Sequence, residues 1–230
     1  MAEIISSPVF GVVLSLAAYI IGCFLKDKLR LAIFNPLLIG IILVIAFLKI
    51  FNISYEDYNN GGAVISFFLA PATIALALPL YKKWSLFKEN MIPILGGVIA
   101  GVIASIGSVI GLCKLFGLSE ELTASLVPKS ITTPIAMSLA EQMGGISSIT
   151  VAAVILTGIF GAIICPILQK ATKFNDKVAM GIAMGNCAHA VGTSKAMELG
   201  ETEGAMSGLT IALAGVITVL IAPLLWRLLG

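Results

Sequence analysis

The chain has 230 residues, of which 59% are hydrophobic and only 11% charged, with a mean hydropathy of +1.08, far from the range of soluble globular domains. This composition implies an integral protein of the lipid bilayer with roughly seven to nine apolar segments of spanning length, and leaves no room for a separate soluble domain. The net charge of +2 is too small to suggest a nucleic-acid surface, and no nucleic-acid partner is expected.

The first apolar segment runs from about Pro8 to Leu25 and stops at the basic KDKLR. Its lack of a basic leader or a convincing cleavage site predicts a retained membrane helix rather than a removed signal peptide. Segment 2 starts near Asn35 and Pro36 and continues to Leu48, with proline suited to an early helical position. A polar, aromatic connection, NISYEDYNNGG, follows, and its tyrosines suit a membrane interface. Segment 3, about Ala63 to Tyr81, contains Pro71 and Pro79 and must be kinked or broken. Segment 4, Met91 to about Leu115, is rich in Gly and Ser, as expected where helices approach closely in lipid.

Next comes the stretch from Val127 to Gly145, VPKSITTPIAMSLAEQMGG. Pro128 and Pro134 each delete a backbone donor and clash with the preceding turn, so no single helix is expected through both. Lys129, Ser130, Thr132 and Thr133 lie between them, and broken polar backbone at membrane depth survives only inside protein or beside water. Segments 6 (about Ser148 to Leu168), 7 (about Val178 to Leu199) and 8 (about Ala205 to Leu229) complete the chain.

Met91, Ser148 and Ala205 follow one another at 57-residue intervals (148 − 91 and 205 − 148), as do Pro71 and Pro128, which suggests an internal repeat of a Pro/Gly-broken segment followed by a long helix. The basic residues bear on topology. Lys26, Lys28 and Arg30, then Lys82, Lys83 and Lys88, then Lys170, Lys173 and Lys177, then Arg227, would all face the cytoplasm by the positive-inside rule. An even number of crossings must then separate Lys88 from Lys170, so the central stretch enters and returns on the same side. The expected fold is an all-α polytopic membrane protein, a single membrane domain over residues 1–230. It has about seven transmembrane helices plus one re-entrant, proline-broken hairpin, with segments 6 to 8 inverted relative to segments 2 to 4 and the C-terminus inside.

Lys129 is the first candidate site residue, because an ionisable group in such a segment costs about 2.5–3.5 kcal/mol on insertion scales. It either forms a carboxylate pocket with Ser130, Thr132, Thr133 and the helix N-terminus restarting near Pro134, or snorkels to the interface. His189, the single histidine, is either a proton carrier and hydrogen-bond partner in the site or a structural contact between helices. Asn186, Thr193 and Ser194 flank it, and Thr73 follows Pro71 as Ser130 follows Pro128. Lys195 and Glu198 are spaced to pair along one helix. The four cysteines, Cys23, Cys113, Cys165 and Cys187, fall in or beside apolar segments without metal-ligand spacing, so no metal, cofactor or disulfide is expected. No nucleophile–base–acid set or phosphate loop occurs, and an enzyme is not expected.

Several long motifs resemble the LrgB/CidB family of bacterial inner-membrane proteins: FNPLLIGI from Phe34, FFLAPATIALALPLY from Phe67, SLVPKSITTPIAM from Ser125, GGISSITVAAV from Gly144 and CAHAVGTSKAMELGETEGAMSGL from Cys187. The resemblance implies a multi-pass plasma-membrane protein and one of two functions. One is carriage of small monocarboxylates such as pyruvate or glycolate, with proton coupling through His189; a plastid glycolate/glycerate translocator resembles a fusion of the two components of such a pair. The other is antiholin-like control of murein hydrolases and lysis with an LrgA/CidA-type partner. The glycine-rich segments 4 and 8 suggest a homo-oligomer, taken here as a dimer.

Overall fold

The computed structural model describes residues 5–29, 36–68, 71, 81–82 and 84–229, without the side chain of Leu86. Thr73 and most of segment 3 lie outside these residues. The chain divides into two compact units, Met1–Ala75 and Leu76–Gly230. Every described element is a helix or a turn.

In the first unit α1 (Pro8–Leu29) packs against α2 (Pro36–Ile50) and α3 (Tyr55–Phe67). The α1–α3 approach is close enough that Gly11 and Gly61 meet backbone to backbone, while Ser15 Oγ lies 2.9 Å from the Tyr58 hydroxyl. The polar connection is therefore helical, not irregular. Ser54 caps it by accepting from the Asp57 amide, and the hydroxyls of Ser54 and Ser6 donate to the Asp57 carboxylate, holding it below the usual carboxylate range.

The second unit contains the short α4 (Trp84–Glu89), α5 (Met91–Leu115), α6 (Glu120–Leu126), α7 (Thr133–Gln142), α8 (Ser147–Thr172), α9 (Lys177–Leu199) and α10 (Glu201–Leu229). Four described helices, α1, α5, α8 and α10, are long and apolar enough to cross a membrane; α2 is a shorter apolar helix. Side chains such as Ile103, Val216 and Leu220 are exposed on them, as lipid-facing residues must be.

The central stretch folds as a helix–break–helix hairpin. Gly117, at φ 66°, reverses the chain after α5, and α6 and α7 are separated by the Pro128–Thr132 break. The two ends of the hairpin meet again: Ser125 Oγ accepts from the Ile146 amide at 2.7 Å, and Thr150 Oγ1 donates to the Ser125 carbonyl at 2.8 Å. At the tip, Ser130 reaches Ser105, ten residues before the end of α5 and therefore about 15 Å in along that helix.

Segment 7 departs from expectation. Instead of one span, α9 is two arms, 177–188 and 190–199, that part at His189, whose φ of 39° and ψ of −129° are not helical. The arms lie against each other. A methyl on Gly192 would sit 2.5 Å from the Met184 carbonyl oxygen, eight residues away, and Met180, Met184 and Ala196 share one buried cluster. The first arm then runs alongside α10, since methyls on Gly181 and Gly185 would meet the carbonyls of Glu203 and Ser207 at 2.5 Å each. Lys177 and Glu201 consequently lie at the same level, so α9 is a second hairpin that returns to the side it entered from. The 22 residues of segment 7 have the length of a span but are less apolar than α5, α8 and α10, and the turn at His189 and the small residues let the arms close.

The 57-residue interval persists in the structure with the expected unit of a broken segment followed by a long helix, though the inversion relates two such units rather than segments 6 to 8 and 2 to 4. Helices α5, α8 and α10 end at Leu115, Thr172 and Leu229, the hairpins are capped by Ser119 and Asp176, and Pro166 and Pro223 sit inside α8 and α10. The unit is a hairpin followed by a long helix, 120–172 and then 177–229. Because α10 runs parallel to the first arm of α9, and that arm antiparallel to α8, the two units are inverted and their hairpins enter from opposite faces.

Among the described residues segment 7 is therefore not a span, and Lys173 and the C-terminal end of α10 fall on opposite sides. With the native cysteines replaced, Lys173→Cys and Glu201→Cys should react with an impermeant maleimide from the same face and Leu228→Cys from the other. Labelling of Glu201→Cys from the face opposite Lys173→Cys would show that α9 crosses.

Candidate functional site

The tips of the two hairpins come together in the middle of the second unit. Lys129 Nζ donates to Ser130 Oγ at 3.2 Å, and Ser130 Oγ is 2.9 Å from Ser105 Oγ on α5. From the other hairpin, Asn186 Nδ2 donates to the Val98 carbonyl at 3.3 Å. Its amide occupies the place where a side chain at Gly101 would be, so glycine there is a condition for Asn186 to lie against α5. In the 57-residue register Asn186 is the counterpart of Lys129, and His189 that of Thr132.

A cavity of about 1140 Å³ is lined by both tips. Along α5 its wall extends from Pro93 to Ser108, and along α8 from Leu156 to Leu168, with Asn90 and Asp176 at the end marked by the start of α5. Because α5 runs parallel to the first arm of α9 and so antiparallel to α8, these limits describe a vestibule that opens on one face and ends at mid-depth. Its inner end has Lys129, Ser130, Asn186 and Cys187, with Ser105, Ser108 and Thr157 from the long helices. Among the described residues its charged lining is Lys129 and, at the mouth, Asp176, which is committed to capping α9 through the Ala179 amide at 2.9 Å.

The other candidates are placed as follows. Thr132 precedes α7 at its N-cap position without a side-chain capping bond, and Thr133 begins the helix; neither lines this cavity, nor does the first turn of α7. His189 is 4% exposed, and its ring Nε2 lies 2.9 Å from the Val154 carbonyl, which can only accept, so Nε2 carries the proton there. Thr193 is fully buried, 2.7 Å from Ser207 Oγ, and holds the returning arm to α10. Ser194 is exposed and donates to its own helix at Ala190, while Lys195 and Glu198 pair at 2.6 Å. Glu141 is bound by the Ser147 hydroxyl.

Sequence reasoning did not single out Ser105, Ser108, Thr157 or Cys187 as lining. Serines in a small-residue helix read equally well as packing residues. The available signal was the interval: Ser108 and Ser130 recur 57 residues later as Cys165 and Cys187.

An all-α fold with several long apolar helices and two inverted hairpins meeting at a polar vestibule defines a multi-pass membrane protein. The chain belongs to the LrgB-like family, whose profile matches residues 15–228. It is 42% identical over 225 residues to the antiholin-like protein LrgB of Bacillus subtilis, covering 97% of each chain. It is 38% identical to the protein of the same name from Bacillus mycoides, covering 97% of this chain and 98% of that one. No solved structure matches.

His189 is tied to α8 where that helix has Gly158; a methyl there would lie 2.6 Å from His189 Cε1 and 3.0 Å from Nε2. Gly158→Ala should displace the ring, break its bond to Val154 and destabilise the protein by about 1–3 kcal/mol, read as a lower melting temperature in detergent. Since His189→Ala removes the same contact, the double variant should lose little more than the worse single one. Additive losses would show that the two residues act separately.

Proposed function

We propose that the protein is a secondary carrier, or the carrier subunit of a pair, for a small organic anion of the monocarboxylate class, such as pyruvate or glycolate. The observation that supports this reading is the one-sided vestibule ending at mid-depth against two hairpin tips, with Lys129 as the cation at its inner end. A passage meant to stay open would need to reach both faces; a vestibule that stops at paired tips fits alternating access around a central site. Ser130 and Ser105 steady the lysine, and Asn186 offers an amide across the cavity. On this reading His189, at the second tip, is the residue that carries a coupled proton.

The name borne by its relatives, antiholin-like, favours a second reading: regulation of murein hydrolase activity and lysis together with an LrgA/CidA-type membrane partner. That reading requires assembly in the membrane, as a homo-oligomer or with the partner, and makes no demand on a lysine in a cavity.

One variant separates the two. Lys129→Ala removes the charge facing a desolvated carboxylate, a loss of about 2–5 kcal/mol or roughly 30-fold to several thousand-fold in affinity. Lys129→Arg should fall between, keeping the charge but crowding the pocket. The measurement is binding and uptake of labelled pyruvate or glycolate in proteoliposomes, with and without the partner, alongside autolysis of the corresponding strains. Wild-type affinity in Lys129→Ala would remove the anion site. Altered autolysis on deletion of the protein but not in Lys129→Ala would support the second reading.

If His189 carries the proton, His189→Gln should retain binding at fixed pH while accumulation no longer follows an imposed pH gradient. An unchanged response to the gradient in His189→Gln would assign the proton elsewhere.

A further inference from the structure

Each hairpin tip touches the long helix that precedes it, and the two contacts differ in chemistry. In the first unit the contact is a pair of hydroxyls, Ser130 and Ser105. In the second it is a pair of thiols: Cys187, just before the tip at His189, has its sulfur 3.2 Å from that of Cys165 on α8. The tip is seated closely there, for a methyl on Gly161 would lie 2.6 Å from Ala188 Cβ and 3.4 Å from the Cys187 sulfur. Both cysteines line the vestibule that also holds Lys129, and neither is fully buried.

The serine pair shows that hydroxyls suffice to pack a tip on its helix. What thiols add is oxidation. Partly exposed thiols 3.2 Å apart on the wall of an open cavity are placed for it. We propose that Cys165 and Cys187 form a thiol–disulfide site that, when oxidised, pins the second hairpin tip to α8 and closes the anion path; the gating half of this proposal rests on the carrier reading above.

The co-reactant is a peroxide small enough to enter the vestibule. One thiolate attacks a peroxide oxygen, the O–O bond breaks, and a sulfenic acid and one water result. The second thiol then displaces the sulfenic oxygen as a second water and forms the S–S bond. Two thiols lose two electrons and two protons, and hydrogen peroxide becomes two waters. The sulfurs need to approach by only about 1 Å to reach bonding distance. Reduction by a dithiol reverses the change.

The test uses the full chain in proteoliposomes, with its LrgA-type partner where the partner is required for uptake. Hydrogen peroxide should yield a linked Cys165–Cys187 peptide by mass spectrometry, with Cys23 and Cys113 still alkylatable. Uptake of labelled pyruvate should fall to the level of empty vesicles and return with dithiothreitol. Cys165→Ser, on the wall of the vestibule away from its inner end, should transport when reduced and ignore peroxide; Cys165→Ala serves where serine disturbs folding. Absence of the linked peptide would overturn the thiol site. The linked peptide with unchanged uptake would overturn the gate while leaving the carrier reading intact. Uptake no greater than in empty vesicles before oxidation would remove the carrier reading and the gate with it, and the peptide would still report on the thiol pair.

Discussion

A backbone amide or carbonyl with no partner costs several kcal/mol in hydrocarbon, and this governs the whole second unit. Among its described residues the unit breaks its helices twice away from the membrane surfaces, at Pro128–Thr132 and at His189, and each break frees polar groups that lipid cannot satisfy. Everything near the breaks serves to keep lipid away. Helices α5, α8 and α10 surround the tips, and the apolar cluster of Val98, Val102, Ile106, Val127, Ile131 and Leu209 seals one side. Glu203 Oε2, at the base of the second hairpin, is a buried side-chain oxygen without a partner among the described residues.

The two breaks are made differently. At the first, proline does the work: Pro134 fits the first turn of α7 but could not continue α6. At the second there is no proline. A histidine adopts a positive φ, a conformation that costs a non-glycine residue about 1–3 kcal/mol and persists only where the surroundings enforce it. Here the enforcing contacts are the bond from His189 to Val154 and the seating of its ring on Gly158.

That difference explains what the sequence could reveal. Pro128 and Pro134 announced the first hairpin, and the distribution of lysines gave its parity. The second hairpin was hidden because AHAVG carries no helix breaker at His189 and segment 7 has the length of a span, although it is less apolar than α5, α8 and α10. Gly181, Gly185 and Gly192 were visible, but glycine in a membrane helix marks close approach without saying whether to another helix or to the same one folded back. The vestibule was legible at Lys129, Ser130 and Asn186. It was illegible at Ser105, Thr157 and the cysteines, whose lining role depends on which face of a long helix meets the tips. The 57-residue interval held the missing information, since it aligns Lys129 with Asn186 and Ser130 with Cys187.

Each repeating unit, a hairpin and one long helix, crosses the bilayer a single time. Tandem copies of any segment with an odd number of crossings must face opposite ways, so duplication of such a segment yields a two-sided device with no further rearrangement. The charges then have to differ between the copies, because the same end of each now meets a different compartment. At the hairpin entrances they do, since Lys177 of the second copy corresponds to Glu120 of the first, whereas near the ends of the long helices Lys170 is matched by Arg227. Orientation is thus written in a few exchangeable surface residues, while the hairpins, caps and tips keep their register beneath them.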